Sequence, residues 1–312
     1  MLVAGEGIAR FGIGLGDPPL SIADPEIEYL FKPSMSYHRF GRHISYNAYS
    51  MRSGPITPAR SDPAEVRVMV LGDSVINGGV LTDDSELTTA RLQLRLRDTL
   101  QRPVYVGNIS AGSWGPPNML AYTRRFGWFD ANVVVIVLSS HDYCDVPTFQ
   151  PIVGVNPAFP DHAPVLALQE LVARYVLPRV ARLRASAENL QVTPATQKDI
   201  DTALEAIRQM VRSARAAGAR VIIAQHLEAG ELGGHEMPGH AAIAGVAKEL
   251  DVDLVQLGPV FEQAQKAGQT VYHDKVHPTP RGQQMIADTL LPHIVAMLQP
   301  ASTQAAAQRV VK

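Results

Sequence analysis

Short, mostly apolar runs alternate along this chain with longer stretches whose apolar residues recur at helical spacing. Val66–Leu71 is such a run; it ends in Gly72-Asp73-Ser74 and reads as a buried strand with its exit turn. Asp84–Leu100 follows with Leu87, Leu92, Leu96 and Leu100 spaced for one helix face. Val104–Val106 predicts a second strand leading into Asn108–Gly115, and Pro117–Phe126 a second helix. Val133–Leu138 is continuously apolar, the mark of a strand covered on both faces. Helical stretches are expected over Val165–Arg184, kinked or divided at Pro178, and over Thr196–Ala217. Arg220–Gln225 predicts a fourth strand, Ala241–Leu250 a helix, Val252–Gln256 a fifth strand, and Pro278–Leu298 a closing helix.

Strands alternating with helices predict a three-layer α/β/α sandwich around a central parallel five-stranded sheet. Residues 1–63 have a different texture. Asp17-Pro18-Pro19, Asp24-Pro25, Lys32-Pro33, Ser53-Gly54-Pro55 and Asp62-Pro63 are turn signals separating short aromatic-bearing segments. They predict an irregular or β-rich decoration packed on a main domain over 64–299, with a frayed tail after Pro300.

Composition narrows the function classes. Hydrophobic residues at 46% supply a core, and a net charge of -2 lacks the basic excess of a nucleic-acid binder. Arg174, Arg179, Arg182 and Arg184 punctuate an apolar pattern and are read as a solvated helix face. Cys144 is the only cysteine, so no intrachain disulfide can form. No apolar run reaches the roughly 18 residues that span a bilayer, and Met1–Gly16 is too Gly-rich for a signal peptide.

In an open parallel sheet, sites form outside the carboxyl ends of the strands. Ser74 follows the first strand, Gly112 the second, Ser139–Asp142 the third, and Asp274-Lys275-Val276-His277 the fifth. Ester cleavage by a serine needs a base for its proton, an acid to orient the base, and donors for the oxyanion. Ser74 on a strand-to-helix turn can expose its hydroxyl and aim its own N–H at an oxyanion. His277 is the candidate base. Asp274, three residues earlier, is the candidate orienting acid.

Val70-Leu71-Gly72-Asp73-Ser74 resembles the first block of the SGNH/GDSL hydrolases, Asn108-Ile109-Ser110-Ala111-Gly112 the second, and Asp274-Lys275-Val276-His277-Pro278 the last. The resemblance runs from about Val66 to Ile294 and implies a flavodoxin-like sheet and a Ser74–His277–Asp274 triad. It also implies a Gly112 N–H in the oxyanion hole and a structural Asp73. The third block departs: Ser139-Ser140-His141-Asp142 stands where the family has GxND, so His141 takes the place of the oxyanion asparagine. Imidazole can still donate there; Asp142 is assigned an orienting role. Pro278 is expected in the first turn of the closing helix.

Other motifs are weaker. Ser110 lacks the first glycine of GxSxG. His235 and His240 are five apart and interrupted by Pro238-Gly239, against the spacing of a zinc helix. His226, at the end of the fourth strand, is read as packing or a substrate contact, and Cys144 as an inert small hydrophobe. The expected activity is that of a serine esterase or O-acyltransferase on small acyl groups, acetyl above all, of a carbohydrate, working through an acyl-enzyme. No metal or organic cofactor is called for, and the expected partner is a small-molecule or polysaccharide ester. Tyr29, Tyr37, His38, Tyr46 and Tyr49 are expected to fold over the site. The alternatives are a lipase or lysophospholipase on the same triad, and a non-catalytic glycan- or protein-binding module. By analogy with similar polysaccharide-modifying proteins, the expected location is periplasmic or extracytoplasmic, with the cytoplasm as the alternative.

Overall fold

The structure is a computed structural model that describes residues 2–184 and 195–299; the expected frayed tail lies outside the described residues, as do the side chains of Arg182 and Arg184. Its centre is a five-stranded parallel sheet of β5 (Val66–Gly72), β6 (Val104–Ser110), β7 (Val133–Ser139), β8 (Arg220–His226) and β9 (Asp253–Gln256). The spatial order is β6-β5-β7-β8-β9, so the chain reverses direction across the sheet between β5 and β7. That reversal opens a crevice outside the carboxyl ends of β5 and β7.

β5, β6 and β7 are buried at every residue because helices cover both faces. Successive side chains of a strand point to opposite faces. Met69, Leu71, Val134 and Ile136 accordingly join the core under the helices Pro116–Phe126 and Gln197–Ala216. Val68, Val70, Val133 and Val135 join the core under Thr88–Leu100 and Pro280–Leu298. The three-layer expectation holds.

Several boundaries move for identifiable reasons. β6 continues through Ser110, past the expected Val106, because every residue from Val104 pairs in register with β5. The segment before Thr88 is a separate short turn, Asp84–Glu86. Pro178 does not divide its helix. The irregularity lies just upstream, where Leu171–Val176 is π-helical, ahead of a proline that has no N–H to bond back. The closing helix begins at Pro280, with Thr279 as its cap accepting from Gly282 N, so Pro278 stands outside it. Helix Gly258–Lys266 has no counterpart in the sequence reading. Arg179 is exposed as expected, but Arg174 lies against Glu170.

The first 63 residues form two hairpins, β1 (Ser21–Asp24) with β2 (Glu28–Phe31) and β3 (Met35–Arg39) with β4 (Arg42–Tyr46), behind an N-terminal helical segment over Leu2–Ile13. Phe40 and Gly41 both take positive φ between β3 and β4, the backbone of a type I′ turn. The tyrosines of this part pack inward. Tyr29, Tyr37 and Tyr46 are buried, and Tyr49 packs edge-on against Phe126 and Phe129.

The helix Pro238–Glu249 closes on the turn that follows β7. A Cβ at Gly239 would stand 1.7 Å from the carbonyl oxygen of Ser140, so only glycine permits this approach. Gly239→Ala is expected to destabilise the protein by about 1–3 kcal/mol and to displace the turn carrying His141; thermal unfolding checks it, and an unchanged melting temperature would contradict the packing argument.

Candidate active site

Gly72 ends β5 beneath the next helical turn: a Cβ there would meet the Ile76 side chain at 2.8 Å. Asp73 then caps the one-turn helix Ser74–Asn77, its Oδ1 accepting from Val75 N at 2.8 Å. Gly78, at φ +72°, stops the helix after that single turn. The second block braces it. Asn108 Nδ2 donates to Ile76 O at 2.9 Å, and Asn77 Nδ2 donates to Ser110 O at 2.9 Å. Buried Arg52 donates to the carbonyls of Asn77, Gly79 and Thr82 and pairs with Asp84. Ser74 is therefore carried on a short, fully bonded shelf at the crevice.

His277 reaches Ser74 from the loop between β9 and the closing helix. Its Nε2 lies 2.9 Å from Ser74 Oγ, and its Nδ1 lies 2.7 Å from Asp274 Oδ2. The other oxygen of Asp274 accepts from Val276 N at 2.8 Å and His277 N at 2.9 Å. Partial burial raises the Asp274 carboxyl, but the two N–H groups and the imidazole outweigh it and leave the group below its ordinary value. A carboxylate facing Nδ1 places the ring proton there and turns the Nε2 lone pair to the serine hydroxyl. Asp274 and His277 are about half exposed, at 54% and 46%, so the constellation stands in an open cleft.

His141 stands across the cleft on the short turn Ser140–Tyr143. Its Nδ1 is 3.0 Å from Glu228 Oε1, while Nε2 is 3.6 Å from Asp73 Oδ2 and 4.0 Å from Asp142 Oδ1. Desolvation alone would favour the neutral ring; Asp73, Glu228 and Asp142 override it and push the imidazole well above its ordinary value. Asp142 holds the turn by accepting from Ser139 N at 2.7 Å. Burial and the nearby Asp73 push its own carboxyl up, against the pull of His141.

Residues 70–285 match the GDSL-like lipase/acylhydrolase family. The chain belongs to that family. It is a carboxylic ester hydrolase. Among solved structures it is similar to TesA, at 18% identity over 74% of this chain and 99% of that one, with a TM-score of 0.48. It is similar to an acetyl xylan esterase, AlAXEase, at 14% identity over 73% and 100% of the two chains, with a TM-score of 0.48. A mutant of Axe2, an acetyl-xylooligosaccharide esterase from Geobacillus Stearmophilus, is similar at 14% identity over 73% of this chain and 93% of that one, with a TM-score of 0.45. No curated protein matches the chain.

Within this acylhydrolase the structure brings Ser74, His277 and Asp274 together, and gathers Asp73, His141 and Asp142 beside them. Gly112 sits on the turn after β6, where its carbonyl accepts from the Tyr29 hydroxyl. His226 is fully buried and contacts no cleft; its Nε2 donates to Val276 O at 3.0 Å, next to His277. Ser110 is buried with its hydroxyl given to Asn108. His240 bonds Gln256 at 3.0 Å at the start of its helix. Cys144 rests against His141 O, and burial pushes its thiol up.

One set of donors among the described residues comes within metal-binding reach, Asp73, His141 and Asp142, whose atoms lie within 4.8 Å of one another. The set does not fit a metal well, because Glu228 and Asp73 favour a doubly protonated ring that has no lone pair to offer. No helix among the described residues is long and apolar enough to cross a membrane.

Glu228 is the residue the sequence reading missed. Nothing local marks it; only the pairing of β7 with β8 sets Ser139 beside His226 and thus the two exit loops together.

Burial holds the His226 imidazole below its ordinary value. An unfolded histidine takes up a proton as pH falls below about 6.5, and the folded one resists until lower pH. The unfolded state then binds more protons, so stability falls as pH is lowered through this range. His226→Gln is expected to lose part of that acid dependence. Thermal unfolding from pH 7.5 to pH 5 checks it, and identical pH slopes for the two proteins would refute it.

Proposed function

We propose that this acylhydrolase removes or transfers small acyl groups, acetyl foremost, on a carbohydrate, with Ser74 as nucleophile, His277 as base and Asp274 as its orienting acid. The observation that carries the reading is the unbroken chain from Asp274 through His277 to Ser74, at 2.7 and 2.9 Å. In the first half-reaction Ser74 Oγ attacks the acyl carbon while His277 Nε2 takes its proton. The tetrahedral oxyanion is met by the N–H groups of Ser74 and Gly112 and by Nε2–H of His141. Collapse breaks the ester bond; His277 returns the proton to the leaving alkoxide oxygen, and Ser74 is left acylated. Water, or a sugar hydroxyl, then gives its proton to His277 and attacks the acyl carbon; as the acyl–serine bond breaks, His277 returns that proton to Ser74 Oγ.

The carbohydrate reading rests on the surroundings of Ser74. They are ionic and open: partly exposed His141 and Glu228 stand on one side over buried Asp73, and half-exposed His277 and Asp274 on the other. A sugar can stay hydrated in such a cleft while its acetyl group reaches the serine. A long acyl chain would want an apolar lining.

The test is hydrolysis of p-nitrophenyl acetate and of acetylated xylo- and manno-oligosaccharides by wild type, Ser74→Ala and Asp274→Asn. Ser74→Ala is expected to fall to background, and Asp274→Asn to lose about 10⁴ in kcat through the wrong tautomer of the base. Wild-type rates in either variant would overturn the assignment. Faster turnover of long-chain p-nitrophenyl esters than of any acetylated sugar would favour the lipase reading instead.

A further inference from the structure

The family's oxyanion asparagine carries two amide protons at any ordinary pH, whereas a neutral imidazole carries only one. Putting His141 at that position therefore raises a question of where its protons are. The loop leaving β8 answers it. Glu228 Oε1 lies 3.0 Å from His141 Nδ1, so the carboxylate accepts from Nδ1–H and keeps a proton on that nitrogen. With only that proton Nε2 would carry a bare lone pair and donate nothing. A second proton at Nε2 is favoured by Asp73 Oδ2 at 3.6 Å and Asp142 Oδ1 at 4.0 Å. Both distances are too long to consume that proton as a hydrogen bond.

We propose that Glu228 is a positioning residue for His141, holding the ring doubly protonated and its Nε2–H free for an oxyanion beside Ser74. This rests on the roles given above to Ser74 and His141. The loop is built to hold such a carboxylate still. Glu228 N donates to Glu231 Oε2 at 2.9 Å, and buried Glu231 in turn accepts from Met237 N at 2.8 Å. Ala229 N donates to Lys275 O at 2.8 Å, and the Tyr272 hydroxyl donates to Leu227 O. Donors fixed before the reaction cost no reorganisation when the oxyanion forms. Glu228 is 21% exposed and His141 36%, so the pair is partly sheltered from solvent and salt.

Asp73 and Asp142 add to the field that favours the second proton, but neither lies within hydrogen-bond distance of the ring. Asp142 is committed to Ser139 N through one oxygen, and Cys144 and Asp145 follow the turn. His226 on β8 is turned to Val276 O, and Asp199, on the helix packed against the turn, is committed to Thr196.

Glu228→Gln removes the charge and keeps the shape; Glu228→Asp keeps the charge and shortens the reach. In nitrogen-detected NMR of the full chain, His141 should stay doubly protonated to at least pH 9 in the wild type. In Glu228→Gln its titration should move down by at least one pH unit, and Glu228→Asp should recover part of the difference. On p-nitrophenyl acetate, kcat of Glu228→Gln should fall about tenfold or more at pH 9 and less at pH 7, with KM within about threefold. An unchanged His141 titration, or a loss equal at every pH, overturns the proposal. If Ser74→Ala retains wild-type activity, the reading of the site fails first. If that variant is dead while Glu228→Gln matches wild type in both measurements, the role of Glu228 alone fails.

Discussion

The architecture of the site depends on β5 being pinned at the switch point of the sheet. All seven of its residues are buried, with β6 on one side and β7 on the other. A strand held that way cannot slide without carrying every valine and leucine to the wrong face. Its carboxyl end is therefore the most fixed point on the functional edge, and Gly72-Asp73-Ser74 leaves from there. The capping carboxylate of Asp73, the close seat of Ile76 on Gly72 and the amide bonds from Asn77 and Asn108 convert that rigidity into a defined direction for one hydroxyl.

A second rigid element, the exit of β8, connects the two sides of the cleft. Its His226 holds the carbonyl of Val276, its Ala229 holds that of Lys275, and its Glu228 meets His141. The loop that delivers His277 and the turn that delivers His141 are thus braced by the same few residues. The first hairpin adds support from the opposite direction, since Tyr29 bonds Gly112 O while its own carbonyl accepts from Trp114 Nε1. What the sequence presented as an aromatic cover is buttressing behind the second block.

The parallel sheet was legible because its strands are short, mostly apolar runs with helical spacing between them, and the clustering of Ser74, Asp274 and His277 was legible because each follows a strand on one edge. The limits were of three kinds. Short strands such as Glu28–Phe31 and Met35–Arg39 mix polar and aromatic residues with too little period to place. Helix Gly258–Lys266 is too short, with glycine and proline at its start, to register as periodic. Glu228 sits in a polar loop whose partner is 87 residues away in sequence, so its meaning exists only once β7 and β8 are paired. The fate of the tyrosines was misread for a related reason. Aromatic side chains near a site look alike in sequence whether they face a ligand or the core, and here Tyr29, Tyr37 and Tyr46 bury their rings.

The central claim is that Ser74 is activated by His277, and a fluorophosphonate probe tests it most directly, because covalent labelling requires an activated serine. Wild type and His277→Ala would be treated side by side and the labelled peptide identified by mass spectrometry. The account predicts a single adduct on Ser74 in the wild type and little or none in His277→Ala. An adduct on another residue, or equal labelling of Ser74 without His277, would contradict it.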